Sequence, residues 1–270
     1  MKENIGFIGA GNMCQSIIEG WLNKSLVEPS SVMATNRTPG KLKKLEENFK
    51  VRAIAQNEEL VDEANVVIIA VKPQDMVAAI EPLTTVFRPD QIVISLAAGI
   101  TLSRLKKLIP QCPHIVRVMA NTPAKIMQGC FGYCTRSNDL IVDRFMDRMF
   151  KPLGLTVKLE EGEPFEAFTI ATSAGVGFIY EMMVYWQEWL EERGIDPELA
   201  QQMTVQTFSG ASELAAQSLP QSLDELQAKV TSKKGVTAAG LESMRELEIE
   251  RLLRYSFEKA ALRDRELSQD

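Results

Sequence analysis

Five short runs, Ile5 to Ile8, Val32 to Thr35, Val66 to Val71, Ile92 to Leu96 and Ile115 to Met119, are each rich in Ile or Val and apolar at successive positions. A strand with one wet face would alternate, so runs like these must be covered on both sides, as in a parallel sheet between two layers of helices. The segments between them can supply that cover: Met13 to Leu22, Gly40 to Asn48, Gln74 to Val86 and Leu102 to Ile109 are amphipathic with helical spacing. This rhythm predicts a doubly wound α/β sheet over about the first 160 residues. After Gly162 and Pro164 the strand-like runs stop and long helical windows take over, which divides the chain into 1–163 and 164–270. Phe165 to Arg193 is apolar around most of its circumference and is expected to be buried, against a second subunit. Asp196-Pro197 reads as an N-cap with proline at the first helical position, and Ser222-Leu223-Asp224-Glu225 as a capping box. A last helix is expected from about Thr237 to the charged end.

Composition narrows the partners. Of 270 residues, 30 are basic and 36 acidic, a net charge of -6, so the chain lacks the basic excess that nucleic acid binding needs. The uncharged stretches 167–180 and 199–212 are short and rich in Ser, Thr, Gln or Gly, so no membrane span is expected. The apolar start is broken by glycines and reads as strand and turn instead of a secretory leader, which suggests a cytoplasmic protein. Cys14, Cys112, Cys130 and Cys134 fit neither a disulfide framework nor a paired metal spacing and read as reduced thiols; no metal site is expected. His114 is the one histidine and opens an apparent strand, where a structural role is expected.

The chemistry starts at the first strand. Gly9-Ala10-Gly11 stands where that strand turns into the first helix, so the backbone can turn tightly and present bare N–H groups at the positive end of a helix to a pyrophosphate. Cys14 takes the third, small position of this Rossmann-type turn. At the end of the second strand an NAD site usually carries an acidic residue for the ribose 2′-hydroxyl, whereas this chain has Asn36-Arg37-Thr38. A guanidinium between two neutral hydrogen-bonding neighbours suits a 2′-phosphate. NADP(H) is therefore the preferred cofactor, with NAD(H) left open.

Taken together, several words in order resemble the pyrroline-5-carboxylate reductase family along nearly the whole chain. They are Gly9-Ala10-Gly11-Asn12-Met13, Ala70-Val71-Lys72-Pro73, Ser95-Leu96-Ala97-Ala98-Gly99-Ile100-Thr101, Arg117-Val118-Met119-Ala120-Asn121-Thr122-Pro123, Gln206-Thr207-Phe208-Ser209-Gly210-Ala211 and Val230-Thr231-Ser232. The resemblance implies a Rossmann-type nucleotide-binding domain followed by an all-helical dimerisation and substrate domain. It implies NADPH-dependent reduction of a cyclic imino acid to proline, and a homodimer at least, with a larger ring of dimers left open. It implies cofactor contacts at Asn12, Met13, Asn57, Val71, Lys72, Pro73, Ala97 and Ala98. Substrate contacts are implied at Asn121, Ser232, Gly235, Val236 and Thr237, with Thr237 carrying the hydrogen bond to the substrate amine.

The departures cluster. The family's Ser-Gly-Ser-Gly-Pro-Ala-Tyr appears as Thr172-Ser173-Ala174-Gly175-Val176-Gly177-Phe178, its Ser-Pro-Gly-Gly-Thr-Thr as Ser232-Lys233-Lys234-Gly235-Val236-Thr237, and Ala120 replaces a proline. The cofactor words are kept better than the substrate words. Two alternatives therefore stand beside the leading reading: a paralogue reducing another imine or an oxo or hydroxy acid, and a non-catalytic NADP-binding scaffold.

Overall fold

In a computed structural model, described here for residues 3–136 and 139–269, eight strands form one sheet. Strands β1 (Ile5–Ile8), β2 (Val32–Thr35), β3 (Arg52–Ala53), β4 (Val66–Ile69), β5 (Ile92–Ser95), β6 (His114–Ala120), β7 (Gly129–Thr135) and β8 (Gly154–Lys158) lie in the order β3-β2-β1-β4-β5-β6-β7-β8. The first six are parallel; β7 runs antiparallel to β6, and β8 is parallel to β7. Interleaved with them are α1 (Asn12–Asn23), α2 (Pro39–Phe49), α3 (Asn57–Glu63), α4 (Met76–Ile80), α5 (Leu102–Leu108) and α6 (Leu140–Met149). Then follow α7 (Glu163–Phe168), α8 (Gly175–Glu191), α9 (Pro197–Gln217), α10 (Leu223–Lys229), α11 (Val236–Glu246) and α12 (Ile249–Gln269).

The doubly apolar strands behave as their composition requires. Phe7, Ala34, Ile68, Ile94 and Val118 join one core with Ile17, Ile18 and Trp21 of α1 and Phe145 and Met149 of α6. Their sequence neighbours Ile8, Met33, Ile69, Val93 and Met119 join a second core with Leu60, Met76, Ile80 and Leu105 of α3, α4 and α5. Because side chains alternate along a strand, these two sets lie on opposite faces of the sheet. The ring of Trp21 packs against Phe7 and Phe150, and its indole N–H donates to the Met149 carbonyl at 2.6 Å, which anchors α1 on the sheet.

Two compact units result. One comprises the residues up to Ala174 together with those from Ala260 onward; the other is Gly175–Lys259. The returning end of α12 is built into the first unit: Arg265 makes a two-pronged pair with Glu166, at 2.7 and 2.5 Å. A side-chain carbon on Gly99 would lie 2.8 Å from the Leu267 carbonyl carbon, so the loop after β5 and the last turns of α12 fit only with glycine there.

Several local expectations change. The helix expected over Gln74 to Val86 is three pieces, a 3-10 turn Pro73–Asp75, α4, and a 3-10 turn Glu81–Leu83, because Pro82 has no N–H to continue the ladder. The last helix is α11 and α12, separated at Glu248, whose backbone is left-handed (φ 52°). Helix α8 is expected to be buried against a second subunit; in the single chain Ile179, Tyr180, Tyr185 and Trp189 are exposed, and so is Trp186, although its ring packs edge-on against Phe208 of α9. The continuous helical stretch Glu163–Glu191 is 29 residues long, so by length and apolar composition it could cross a membrane, although the uncharged stretch within it looked too short. The N-caps at Asp196 and Ser222 form as read, the latter with both halves of its capping box. No disulfide joins the four cysteines; Cys14, Cys112 and Cys134 are buried.

His114 ties two elements together, its Nδ1 lying 2.5 Å from Oδ2 of Asp139, which caps α6 by accepting from the N–H groups of Ile141 and Val142. Burial alone would raise the Asp139 carboxyl, but the His114 contact and the two backbone N–H groups outweigh it and hold it below its ordinary 3.8. A group depressed on folding stabilises above its unfolded value and loses that contribution as pH falls through its folded value. The melting-temperature difference between wild type and Asp139→Asn should therefore be present at pH 6 and shrink below about pH 4. A difference that stays constant down to the acid limit would remove this pair as a source of acid sensitivity.

Candidate functional site

The strand order reverses beside β1, where the chain leaves for β2 on one side and later β4 on the other, and ligands of such sheets bind at the carboxyl ends of the strands at that point. A cleft of about 600 Å³ opens there. Its floor is Ile8-Gly9-Ala10-Gly11; one wall is Thr35 to Thr38 with Lys41 and Asn57, and the other is Ala70 to Lys72 with Gln74, Asp75, Ala78 and Ala79.

One position of the turn at its floor, Gly9, admits only glycine. Gly9 has φ +110°, and an added Cβ would stand 2.7 Å from the Ala70 carbonyl oxygen. Its N–H donates to Thr35 O at 2.9 Å, and the next N–H, of Ala10, donates to Asn36 Oδ1 at 3.1 Å. Gly11 caps α1 without a side-chain oxygen, and a Cβ there would meet nothing within 4 Å. The first N–H groups of α1 are thus left facing open space, which fits a pyrophosphate. Cys14 is fully buried behind the turn, and burial pushes its thiol far above the ordinary range, so it packs and stays protonated.

The end of β2 shows how the polar residues divide their work. Asn36 is used internally: its oxygen holds Ala10 and its nitrogen donates to Thr38 O at 3.0 Å. Thr35 Oγ1 donates to Asn57 Oδ1 at 2.6 Å and fixes that amide at the cleft wall. Arg37 reaches the mouth, its guanidinium 3.0 Å from Asp75 Oδ2. Lys41, in the first turn of α2, adds a second cation that went unrecognised in the sequence, though its spacing of three from Thr38 puts it on the first helical turn.

Of the expected cofactor positions, Gly9, Gly11, Asn36, Arg37, Thr38, Asn57, Val71 and Lys72 come together in this cleft. Asn12, Met13, Pro73, Ala97 and Ala98 do not line it. Met13 packs on the core beneath α1, and Ala97 is buried after β5 with its N–H on Ser95 Oγ. Asn121 is 7% exposed and acts as a bracket, since its oxygen accepts from the Cys130 N–H at 2.8 Å and its nitrogen donates to Thr172 O at 3.2 Å. Nearby in sequence, the buried Arg117 lies 4.5 Å over the Phe165 ring and pairs with Glu161, so this motif residue braces β6.

Family comparisons identify both halves of the chain. A model described as NADP oxidoreductase coenzyme F420-dependent matches residues 4–99, and one described as pyrroline-5-carboxylate reductase dimerisation matches residues 163–267. A pyrroline-5-carboxylate reductase of Pseudomonas aeruginosa is 30% identical over 266 residues, covering 98% of this chain and 97% of that protein. One from Haemophilus influenzae is 33% identical over 238 residues, 88% and 87% of the two chains. The chain belongs to the pyrroline-5-carboxylate reductase family. The solved pyrroline-5-carboxylate reductase of Coxiella burnetii superposes with a TM-score of 0.87 at 29% identity over 99% of both chains. The Plasmodium falciparum structure, a pyrroline carboxylate reductase with NADP bound, has the same fold, with a TM-score of 0.88 at 21% identity and 99% coverage of both chains.

Within this family fold, the altered loop Ser232 to Thr237 joins α10 to α11. Lys234 adopts a left-handed backbone (φ 58°), and the Gly235 N–H donates to Ser232 O at 3.0 Å, closing a turn. Gly235 then caps α11 without a side-chain oxygen, so N–H groups at the start of α11 are available to an anion. An added Cβ at Gly235 would lie 2.1 Å from Ser232 Oγ. Val236, 93% exposed, and Thr237 stand at the surface of their unit.

Proposed function

We propose that the protein is an NADPH-dependent reductase of 1-pyrroline-5-carboxylate, producing proline, the last step of proline biosynthesis. The observation that carries the reading is identity along nearly the full chain with pyrroline-5-carboxylate reductases, combined with the glycine-floored cleft at the β1–β4 switch point. Bound NADPH supplies a hydride for the carbon of the cyclic C=N bond, while the ring nitrogen keeps its proton as an amine. The protein's part is positional. Gly9, Gly11 and the start of α1 would hold the pyrophosphate, Asn57, Val71 and Lys72 would line its path, and Arg37, Thr38 and Lys41 would meet the 2′-phosphate. The N–H groups opening α11 would take the substrate carboxylate and Thr237 would hydrogen-bond the ring nitrogen. A protonated imine is already electrophilic, so no strong general acid is required.

The helical residues from 164 onward would pair two chains through the apolar flank of α8, giving a cytoplasmic homodimer at least, with a ring of dimers as a further level of assembly. Residues 1–163 would form the nucleotide-binding domain. NADPH should be consumed when the imine is supplied, and no turnover at saturating cofactor and substrate would reject the reading. Arg37→Ala should weaken NADPH by about tenfold or more, the worth of a charge-assisted hydrogen bond, with NADH within about twofold. Equal losses for both would sink the 2′-phosphate assignment.

The loop Ser232-Lys233-Lys234-Gly235-Val236-Thr237, with two cations where the family carries Pro-Gly, favours one second reading: a reductase of a different or more anionic imine. Rates across a panel of cyclic imines with one and two carboxylates separate the two.

A further inference from the structure

Arg37 and Asp75 come from opposite walls of the nucleotide cleft. Arg37 follows β2, Asp75 ends the 3-10 turn after β4, and Nη2 and Oδ2 meet at 3.0 Å at the mouth. The Arg37 side chain is 83% exposed and that of Asp75 only 26%, so the arginine is the partner that is free to swing away. Lys41 lines the same wall as Arg37 and has no ion pair among the described residues.

We propose that Asp75 is a specificity residue that competes with the cofactor's 2′-phosphate for Arg37 and so holds down the preference for NADPH over NADH. The inference rests on the assignment of this cleft to NADP(H). One guanidinium fork can face a carboxylate or a phosphate, and a phosphate placed on Arg37 brings its charge close to the Asp75 carboxylate, where like charges repel. A neutral 2′-hydroxyl meets no such repulsion and can donate to that carboxylate. Exposed ion pairs are weak, so the exchange is reversible and Asp75 tempers the phosphate preference without abolishing it. Lys41, which Asp75 does not engage, keeps the balance on the side of the phosphate. Asp75 makes no side-chain cap to α4, and its hydrogen-bond partner across the cleft is Arg37, so its substitution should leave the fold intact.

The test compares 2′,5′-ADP with AMP, which differ only in the 2′-phosphate, by calorimetric titration of wild type, Asp75→Asn, Arg37→Ala and the double variant, with NADPH and NADH alongside. Asp75→Asn should tighten 2′,5′-ADP and NADPH by about three- to tenfold and leave AMP and NADH within about twofold, and the gain should shrink in high salt. In the Arg37→Ala background the gain should fall by at least about half, because the contested guanidinium is gone. Equal changes for 2′,5′-ADP and AMP, as expected if the pair merely clamps the adenosine, overturn the inference; so does weaker 2′,5′-ADP binding. Failure of wild type to bind any of the four ligands overturns the cofactor assignment together with it, whereas normal wild-type binding with an unchanged ratio in Asp75→Asn overturns only the role of Asp75.

Discussion

Gly9→Ala is expected to abolish useful NADPH binding, weakening it by about 100-fold or more, while Gly11→Ala leaves the fold untouched. The two glycines look alike in sequence but differ in the structure. At Gly9 an L-residue must adopt φ +110°, and its Cβ would sit 2.7 Å from Ala70 O and 2.9 Å from the Ala70 carbon, both backbone atoms that cannot rotate away. The strained conformation alone costs about 1–3 kcal/mol, and relief of the clash must move the β1 turn away from the end of β4, so the N–H groups that define the pyrophosphate site lose their geometry. At Gly11 the same methyl meets nothing within 4 Å, so any loss there comes from the space the ligand itself needs. Fluorescence titration with NADPH, paired with thermal melts, checks both. A well-folded Gly9→Ala protein with NADPH affinity within threefold of wild type would show that the turn does not form the cofactor floor.

Thr237→Ala should lower kcat/KM for the imine by about 100-fold, the usual effect of losing one hydrogen bond to a reacting group, with NADPH affinity unchanged. Thr237 lies at the second position of α11 behind a glycine cap and is exposed in its own unit, so removing its hydroxyl disturbs no packing. Thr237→Ser should keep most of the activity, because it keeps the hydroxyl. An alanine variant as fast as wild type would take Thr237 out of the site and shift attention to the neighbouring lysines.

The sheet was legible because its central strands are buried on both faces. Ile5 to Ile8 and Val32 to Thr35 form over the expected residues, and the other three runs differ only at their ends. What escaped was outside that pattern. β3 is two residues long, β7 carries Gly129 and Gly132 and two cysteines in place of β-branched residues, and β8 is a half-exposed edge. Helix α3 is one short stretch rich in acid, whose register shows only once Leu60 and Val61 meet the second core. The floor of the cofactor cleft could be read from two glycines and the end of β2. Asp75 could not, because nothing local links it to Arg37, 38 residues earlier; only the pairing of β2 and β4 on either side of β1 brings the segments that follow them to one cleft. The composition change at Gly162 and Pro164 coincides with the start of the dimerisation match at 163, whereas compactness divides the chain after Ala174, since α7 and the π-helical turn Thr169–Ala174 pack on the sheet through Phe165, Thr169 and Ile170.

The return of α12 to the first unit makes Gly175–Lys259 an insertion within a discontinuous domain. No single cut in the gene can separate the two. A fragment ending at Ala174 would lack Arg265 and Leu267, leaving Glu166 without its partner and the Gly99 loop uncovered, so its behaviour would report an incomplete domain instead of an isolated one. Replacing residues 175–259 with a short flexible linker keeps both ends of the discontinuous unit, and is the design by which its nucleotide binding can be measured alone.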